Sequence, residues 1–256
     1  MKSELIANQL FEQNIFQQHK YLEKKLDIIK DEIKRRLDEE TKRLEYKELD
    51  VVVKFVAVKK YDFDILNLQE LLYNHGLLID CSQVITKAQD VLSKIKEFEL
   101  EQTYHVRINL KHKVEINQDF SKLNDLELIT LWKEDNSKYK ELDRKIKQTK
   151  DVIMKELISK NVTKVVFNYG TINLCKNKTS YDMKSILDNF GFEFFNNYCG
   201  IKNEKLDEYI SLGFLNKKEV EKFKKLSDIT LRFVVMKISD ENNLHEFLKN
   251  KYVSSF

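Results

Sequence analysis

The stretch Val51-Val52-Val53-Lys54-Phe55-Val56-Ala57-Val58, running into Lys59-Lys60-Tyr61-Asp62, decides how the chain is read. Five valines in eight residues, with Lys54 the only polar interruption, specify a β-strand covered on both sides. A long charged helix precedes it. The helical Leu66-Asn67-Leu68-Gln69-Glu70-Leu71-Leu72 follows, closed by Asn74-His75-Gly76, then a helical stretch over residues 84–98 and a strand over 104–111. The order returns between residues 138 and 239, and such recurrence reads as an internal duplication. The second pass has a helix, the strand over 165–174, Thr179-Ser180-Tyr181-Asp182, and a helix over 183–190 closed by Gly191-Phe192. It ends with a helical stretch over 204–225 and the strand Thr230-Leu231-Arg232-Phe233-Val234-Val235-Met236-Lys237.

The expected fold is therefore a helix-rich α+β protein of two tandem related units. Each carries a long coiled-coil-like helix, a small antiparallel β-sheet and short helices. The first unit takes residues 1–115, a linker takes 116–135 where a polar, Asn-containing stretch interrupts the periodicity, and the second unit takes 136–256. Absence of proline leaves the long helices uninterrupted.

Leu22, Leu26, Ile29, Ile33, Leu37 and Leu44 recur at spacings of mostly three, four and seven, and Tyr139, Leu142, Ile146, Ile153 and Leu157 repeat the pattern. Such narrow stripes fit a two-helix seam. The expected partner is the other half's helix or that of a second chain, so a homodimer through the long helices is one outcome. Leu10, Phe11, Ile15 and Phe16 add a bulkier apolar patch. With Leu22, Leu26, Ile29 and Ile33 they form the expected protein interface.

In residues 104–112, alternation puts Tyr104, Val106, Ile108 and Leu110 on one face and His105, Arg107, Asn109 and Lys111 on the other, a core face and a wet basic face. Asn168-Tyr169-Gly170 is expected to break the strand over 165–174 into a hairpin or bulge, glycine accepting the positive φ. Asp182 and Asp62 read as helix N-caps.

The sequence contains no P-loop, GxGxxG, GxSxG or HExxH. His105 and His112 are an odd number of residues apart, so on a strand they face opposite ways. Cys81, Cys175 and Cys199 lack CxxC spacing and read as reduced, with no zinc site. Glu23-Lys24-Lys25 and Glu45-Tyr46-Lys47 match a nuclease's Glu-x-Lys only in letters, on expected helix. The chain is read as no enzyme, with no cofactor and no metal. It lacks an apolar run of the ~18 residues a membrane span needs, and Met1-Lys2-Ser3-Glu4 lacks a signal peptide's apolar core, so a cytoplasmic protein with no membrane partner is expected. Abundant Lys, Asn and Ile point to an AT-rich genome.

Net charge is +3. Nucleic-acid binding would need that charge concentrated, and Lys54, Lys59, Lys60, Arg107, Lys111, Lys113, Lys164, Lys176, Lys178 and Arg232 on strands and turns are the candidate DNA-binding residues. Such side chains neutralise phosphates without reading bases.

The second half carries Tyr169-Gly170-Thr171-Ile172, Ser180 before the helix over 183–190, Gly191-Phe192-Glu193-Phe194-Phe195, Ile201-Lys202-Asn203-Glu204-Lys205-Leu206 and a closing strand over 229–238. This order resembles the Gam family of phage host-nuclease inhibitors, whose members pair a long coiled-coil helix with a small α+β body. The resemblance implies a homodimeric protein that encloses double-stranded DNA ends and shields them from exonucleases. This chain departs from it in holding two copies, so that one polypeptide imitates the dimer internally. The function so implied is a non-enzymatic, phage-type accessory protein that binds double-stranded DNA ends without sequence specificity, a host-nuclease inhibitor in the service of counter-defence. The alternative is a protein-binding module that inhibits a host defence complex, or an assembly factor, acting through its long helices.

Overall fold

The computed structural model describes Phe11 and residues 13–37 and 42–253; Leu10, one of the expected interface residues, lies outside them. Nine α-helices and eight strands follow one another among the described residues. They are α1 (Ile15–Arg36), β1 (Arg43–Tyr46), β2 (Val51–Phe63), α2 (Ile65–Asn74), α3 (Leu78–Cys81), β3 (Ser82–Val84), α4 (Gln89–Lys94), β4 (Tyr104–Leu110) and α5 (Asp125–Ser159). After these come β5 (Lys164–Phe167), β6 (Gly170–Lys176), α6 (Met183–Tyr198), β7 (Cys199–Ile201), α7 (Asn203–Ser211), α8 (Lys217–Glu221), β8 (Lys224–Lys237) and α9 (Ile238–Val253).

The chain is a mixed α/β protein with a long helix, α5, and small antiparallel sheets of order β1-β2-β8, β3-β7 and β4-β6-β5. Its compact units do not follow the sequential division at 115 and 136. One unit takes the chain up to Phe55, Thr103–Asn177 and Phe233–Ser239; the other takes Val56–Gln102, Lys178–Arg232 and the chain from Asp240 on. Each is assembled from both halves of the sequence.

In the first unit α1 and α5 run antiparallel. His19 faces Asp143, Lys25 faces Asp135 and Arg36 faces Asp125, so one number rises as its partner falls. Between these polar steps Leu26, Ile29 and Ile33 close against Leu128, Ile129 and Trp132, all buried, together with Val51, Val53 and Val235. The seam of α1, including Leu22, is thus filled from within the chain. It is also shorter than the periodicity predicts, because α1 ends at Arg36 and Leu44 lies in β1. Phe11 and Phe16, with Ile15 packed beside them, join Val106, Ile108, Ile172, Ile146, Ile153 and Leu157 in a second core beneath the β4-β6-β5 sheet. Those of the apolar residues expected at a protein interface that the structure describes, Phe11, Ile15, Phe16, Leu22, Leu26, Ile29 and Ile33, are here packed within the chain.

Residues 116–135 are not a linker. Asn124 caps α5 through a reciprocal box: its side-chain oxygen accepts from the Glu127 N–H at 2.9 Å, and the Glu127 carboxylate accepts from the Asn124 N–H at 2.7 Å. The first turns of α5 then bury Leu128, Ile129 and Trp132. Upstream, Phe120 is buried and the Arg36 guanidinium donates to the carbonyls of Ser121 and Leu123 at 2.9 and 2.5 Å. The asparagine that reads as loop composition is the helix start.

The β4-β6-β5 sheet pairs Tyr104 with Lys176 through to Leu110 with Gly170, and Lys164 with Asn173 through to Phe167 with Gly170. Asn168-Tyr169 is therefore the two-residue turn of a hairpin. Gly170 has no positive φ; it is needed because a Cβ there would stand 2.2 Å from the Asn109 carbonyl oxygen. Val106 and Ile108 of β4 are buried while His105 and Arg107 are exposed, as alternation predicts.

In the second unit Leu68, Leu72, Ile186, Phe195, Leu206 and Val220 form the core, all at most 1% exposed. The two-stranded β3-β7 pair runs from Ser82 opposite Ile201 to Val84 opposite Cys199. Buried Gln69 ties the layers by donating to the carbonyls of Phe195 and Cys199 at 3.0 and 3.1 Å. Asp182 caps α6, accepting from the N–H groups of Lys184 and Ser185. Asp64, not Asp62, caps α2, because β2 continues to Phe63. Burial pushes the thiols of Cys81 and Cys199 up to about 11 and about 12, so both stay protonated. The strand expected to be covered on both sides is covered only at Val51–Val53; Val56 and Val58 are exposed, since β1 pairs with β2 no further than Lys54.

Candidate nucleic-acid interface

β4 is an edge strand of its sheet, and in the first unit a groove of about 960 Å³ runs along it. Successive residues 105–110 line it, from both faces of the strand, as an edge does. Lys111, His112, Lys113 and Val114 continue the same wall. The opposite walls are helical. Phe16, Lys20, Glu23 and Lys24 share one face of α1, and Asp143, Ile146, Lys147 and Lys150 share one face of α5, each set at spacings of three and four.

Lys20, Lys24, Arg107, Lys111, Lys113, Lys147 and Lys150 meet two carboxylates, Glu23 and Asp143. Glu23 is taken by Lys20 at 2.6 Å and Asp143 by Lys147 at 2.8 Å, which holds the Asp143 carboxyl below its usual range. Lys24 donates to the Val114 carbonyl at 3.0 Å and so fastens the loop after β4 to α1. Arg107, Lys111, Lys113 and Lys150 have no ion-pair partner among the described residues. Their charge is available to a ligand.

His19 forms part of the groove's floor. Its ring stacks between Phe16 and Tyr139, with centroids 6.3 and 4.6 Å away, and its Nε2 lies 3.4 Å from Asp143 Oδ1 without an aligned hydrogen bond. Burial pushes its pKa below the ordinary 6.5, against the pull of Glu23 and Asp143. His105 donates from Nδ1 to the Asn177 side-chain oxygen at 2.6 Å, and the Asn177 amide N–H donates to the Thr103 hydroxyl at 3.0 Å.

Of the residues expected to bind DNA, the groove gathers Arg107, Lys111 and Lys113. Lys54, Lys164 and Lys176 belong to the same unit but do not line it, and Lys178 and Arg232 belong to the other unit. Lys59 and Lys60 line a recess of about 660 Å³ in the second unit, where they and Lys224 are matched by Asp62 and Asp207. There Lys60 lies 3.5 Å from Asp228, and Lys224 stands over the rings of Tyr61 and Phe63 at 5.7 and 5.4 Å. Charge in that recess is nearly balanced. Lys20, Lys24, Lys147 and Lys150 escape a strand-based reading, because only the antiparallel pairing of α1 and α5 brings their faces together.

Among the described residues no group of three or more His, Cys, Asp or Glu could hold a metal ion. Glu45 of the Glu-x-Lys letters lies on β1, not on a helix, and accepts from Arg43 at 2.7 Å. No helix of the described residues is long and apolar enough to cross a membrane. No protein-family model, curated protein or solved structure matches the chain.

Proposed function

We propose that the protein is a non-enzymatic accessory factor that binds the backbone of double-stranded DNA, at its ends, in the groove along β4 and shields it from nucleases. One observation carries the reading: a single groove collects seven cations against two carboxylates, an excess larger than the +3 of the entire chain. Concentrated positive charge of this kind suits a polyanion and gives affinity without sequence preference. The resemblance of residues 164–238 to the Gam family supplies the choice of duplex ends and the inhibitory role. A partner docking on the long helices, the alternative, would need another surface, since Leu22, Leu26, Ile29 and Ile33 are buried against the chain itself.

Fluorescence anisotropy with a labelled linear duplex tests the reading. The four unpaired cations predict a plot of log affinity against log salt with a slope of about −4, at roughly −0.9 per phosphate neutralised. Exchanging two of them, Arg107→Glu with Lys111→Glu, should flatten the slope by about 2 and weaken binding at least roughly tenfold. Lys59→Glu with Lys60→Glu, in the balanced recess, should change little. Absence of binding to linear duplex at low salt would remove the proposal, and equal affinity for closed circular DNA would remove the preference for ends.

A further inference from the structure

β8 is the outer strand of the β1-β2-β8 sheet, and β1 covers β2 only as far as Lys54. Beyond that point, within the second unit, residues 56–63 of β2 and 224–232 of β8 form a ribbon of two strands. Such a ribbon is marginal in water, and its free edge is a template for another strand. Both strands of the ribbon expose apolar residues, and those of the outer strand are the more exposed: Leu226 46%, Ile229 52% and Leu231 69%, against 36% for Val56, 39% for Val58 and 42% for Tyr61. Arg232 has no ion-pair partner among the described residues, and Asp228 has only the exposed Lys60.

The edge strand reads Asp228-Ile229-Thr230-Leu231-Arg232. Turned through a two-fold axis at Thr230, this sequence complements itself. Thr230 meets Thr230 of the other strand, Ile229 meets Leu231 twice, and Asp228 meets Arg232 twice. Alternation puts the charged and threonine pairs on one face and the apolar pairs on the other. Opposite-charge, Thr–Thr and branched apolar pairs are the cross-strand combinations that stabilise antiparallel strands.

We propose that β8 pairs antiparallel with β8 of a second copy about a two-fold axis at Thr230, joining two ribbons into one four-stranded sheet. The contact is isologous and closes at two chains. It differs from a dimer through the long helices, whose seam α5 fills. It is also independent of the groove along β4, so loss of either leaves the other standing.

Light scattering and sedimentation over a range of concentrations test it. The wild-type chain should reach twice its 30.7 kDa. Arg232→Asp or Asp228→Arg sets like charges opposite each other at two symmetric positions and should weaken dimerisation roughly tenfold or more, shifting the mass toward 30.7 kDa. The double exchange, Asp228→Arg with Arg232→Asp, renews both opposite-charge pairs and should restore the dimer. A native circular dichroism spectrum and a cooperative melt establish that each variant is folded, with the midpoint free to fall where the dimer is lost. A monomeric wild type at every concentration overturns the proposal. So does a dimer that survives both single reversals, or a folded double exchange that stays monomeric.

Discussion

At the scale of the residue, His19 belongs at once to the α1/α5 seam and to the floor of the basic groove. Its ring is held neutral by burial, so its folded pKa lies below the 6.5 that the unfolded chain keeps. Between those values the unfolded state binds more protons than the folded one. Stability is therefore complete above 6.5, falls as the pH drops through 6.5, and levels off below the folded value. The carboxylates held low act elsewhere on the scale: Glu32, at about 2 through its bonds from Arg35 and Arg36, loses its contribution only as the pH falls below the ordinary 4.5. Thermal melts between about pH 7.5 and 5 should thus decline in wild type and flatten in His19→Phe, which keeps the ring stack without the titration. Parallel curves for the two proteins would contradict this account. Gly170 shows the other side of residue-level reading. Its need for glycine is legible in the sequence, but the cause is the carbonyl of Asn109, sixty-one positions upstream, and no local pattern announces that contact.

Among the elements, the α1/α5 pair depends on a buried polar step. Lys25 Nζ and Asp135 Oδ2 are 2.7 Å apart, with side chains 11% and 6% exposed, the most buried ion pair of the three polar steps along the seam. Buried pairs of this kind add little net stability, but losing one partner strands the other charge. Lys25→Ala leaves Asp135 only the exposed Lys138, 3.9 Å away, and should cost up to about 3–5 kcal/mol in denaturant unfolding, whereas Lys25→Met with Asp135→Leu should recover most of the loss. If the double variant is no better than the single one, the pair holds the helices by something beyond charge compensation. The stripes of α1 and α5 were legible because helical period is local, and so was the alternation of β4. The start of α5 was not, because Asn124 and Glu127 look like loop residues until they are seen bonded to each other's backbone. The sequence marks β8 only from Ile229 and extends the preceding helical stretch to Lys225, since the first residues of β8, Lys224 onward, lack the apolar alternation of a strand packed on a core. The cationic groove was legible in part: Arg107 and Lys111 follow from strand alternation, but its lysines on α1 and α5 require knowing which helix faces pair.

For the whole molecule, each of the three sheets pairs a strand of the first half of the sequence with one of the second. β4, the closing strand of the first half, pairs with β6 of the second, and β2 of the first pairs with β8 of the second. β3 and β7 are joined in the same way. Sequence order is one-dimensional and cannot distinguish two units standing side by side from two halves exchanging strands, since both bury the same residues. The distinction has a physical consequence. A fragment of residues 1–115 would lack α5, which fills the seam of α1, and β6, which satisfies the backbone of β4. A fragment of residues 136–256 would lack β4, α1 and the turns of α5 that bury Trp132. Each would leave most of a core and a full row of backbone groups in water, so neither can offset the entropy of folding. Expressed alone, both fragments should show no cooperative melt and little protection from hydrogen exchange; a pair that keeps Phe120 and the start of α5, residues 1–115 with residues 116–256, should reassemble when expressed together and melt cooperatively, at a midpoint lowered by the cost of association. A cooperative melt from either fragment alone would mean that its half closes its own core, and that the crossed pairing is not what holds the fold together.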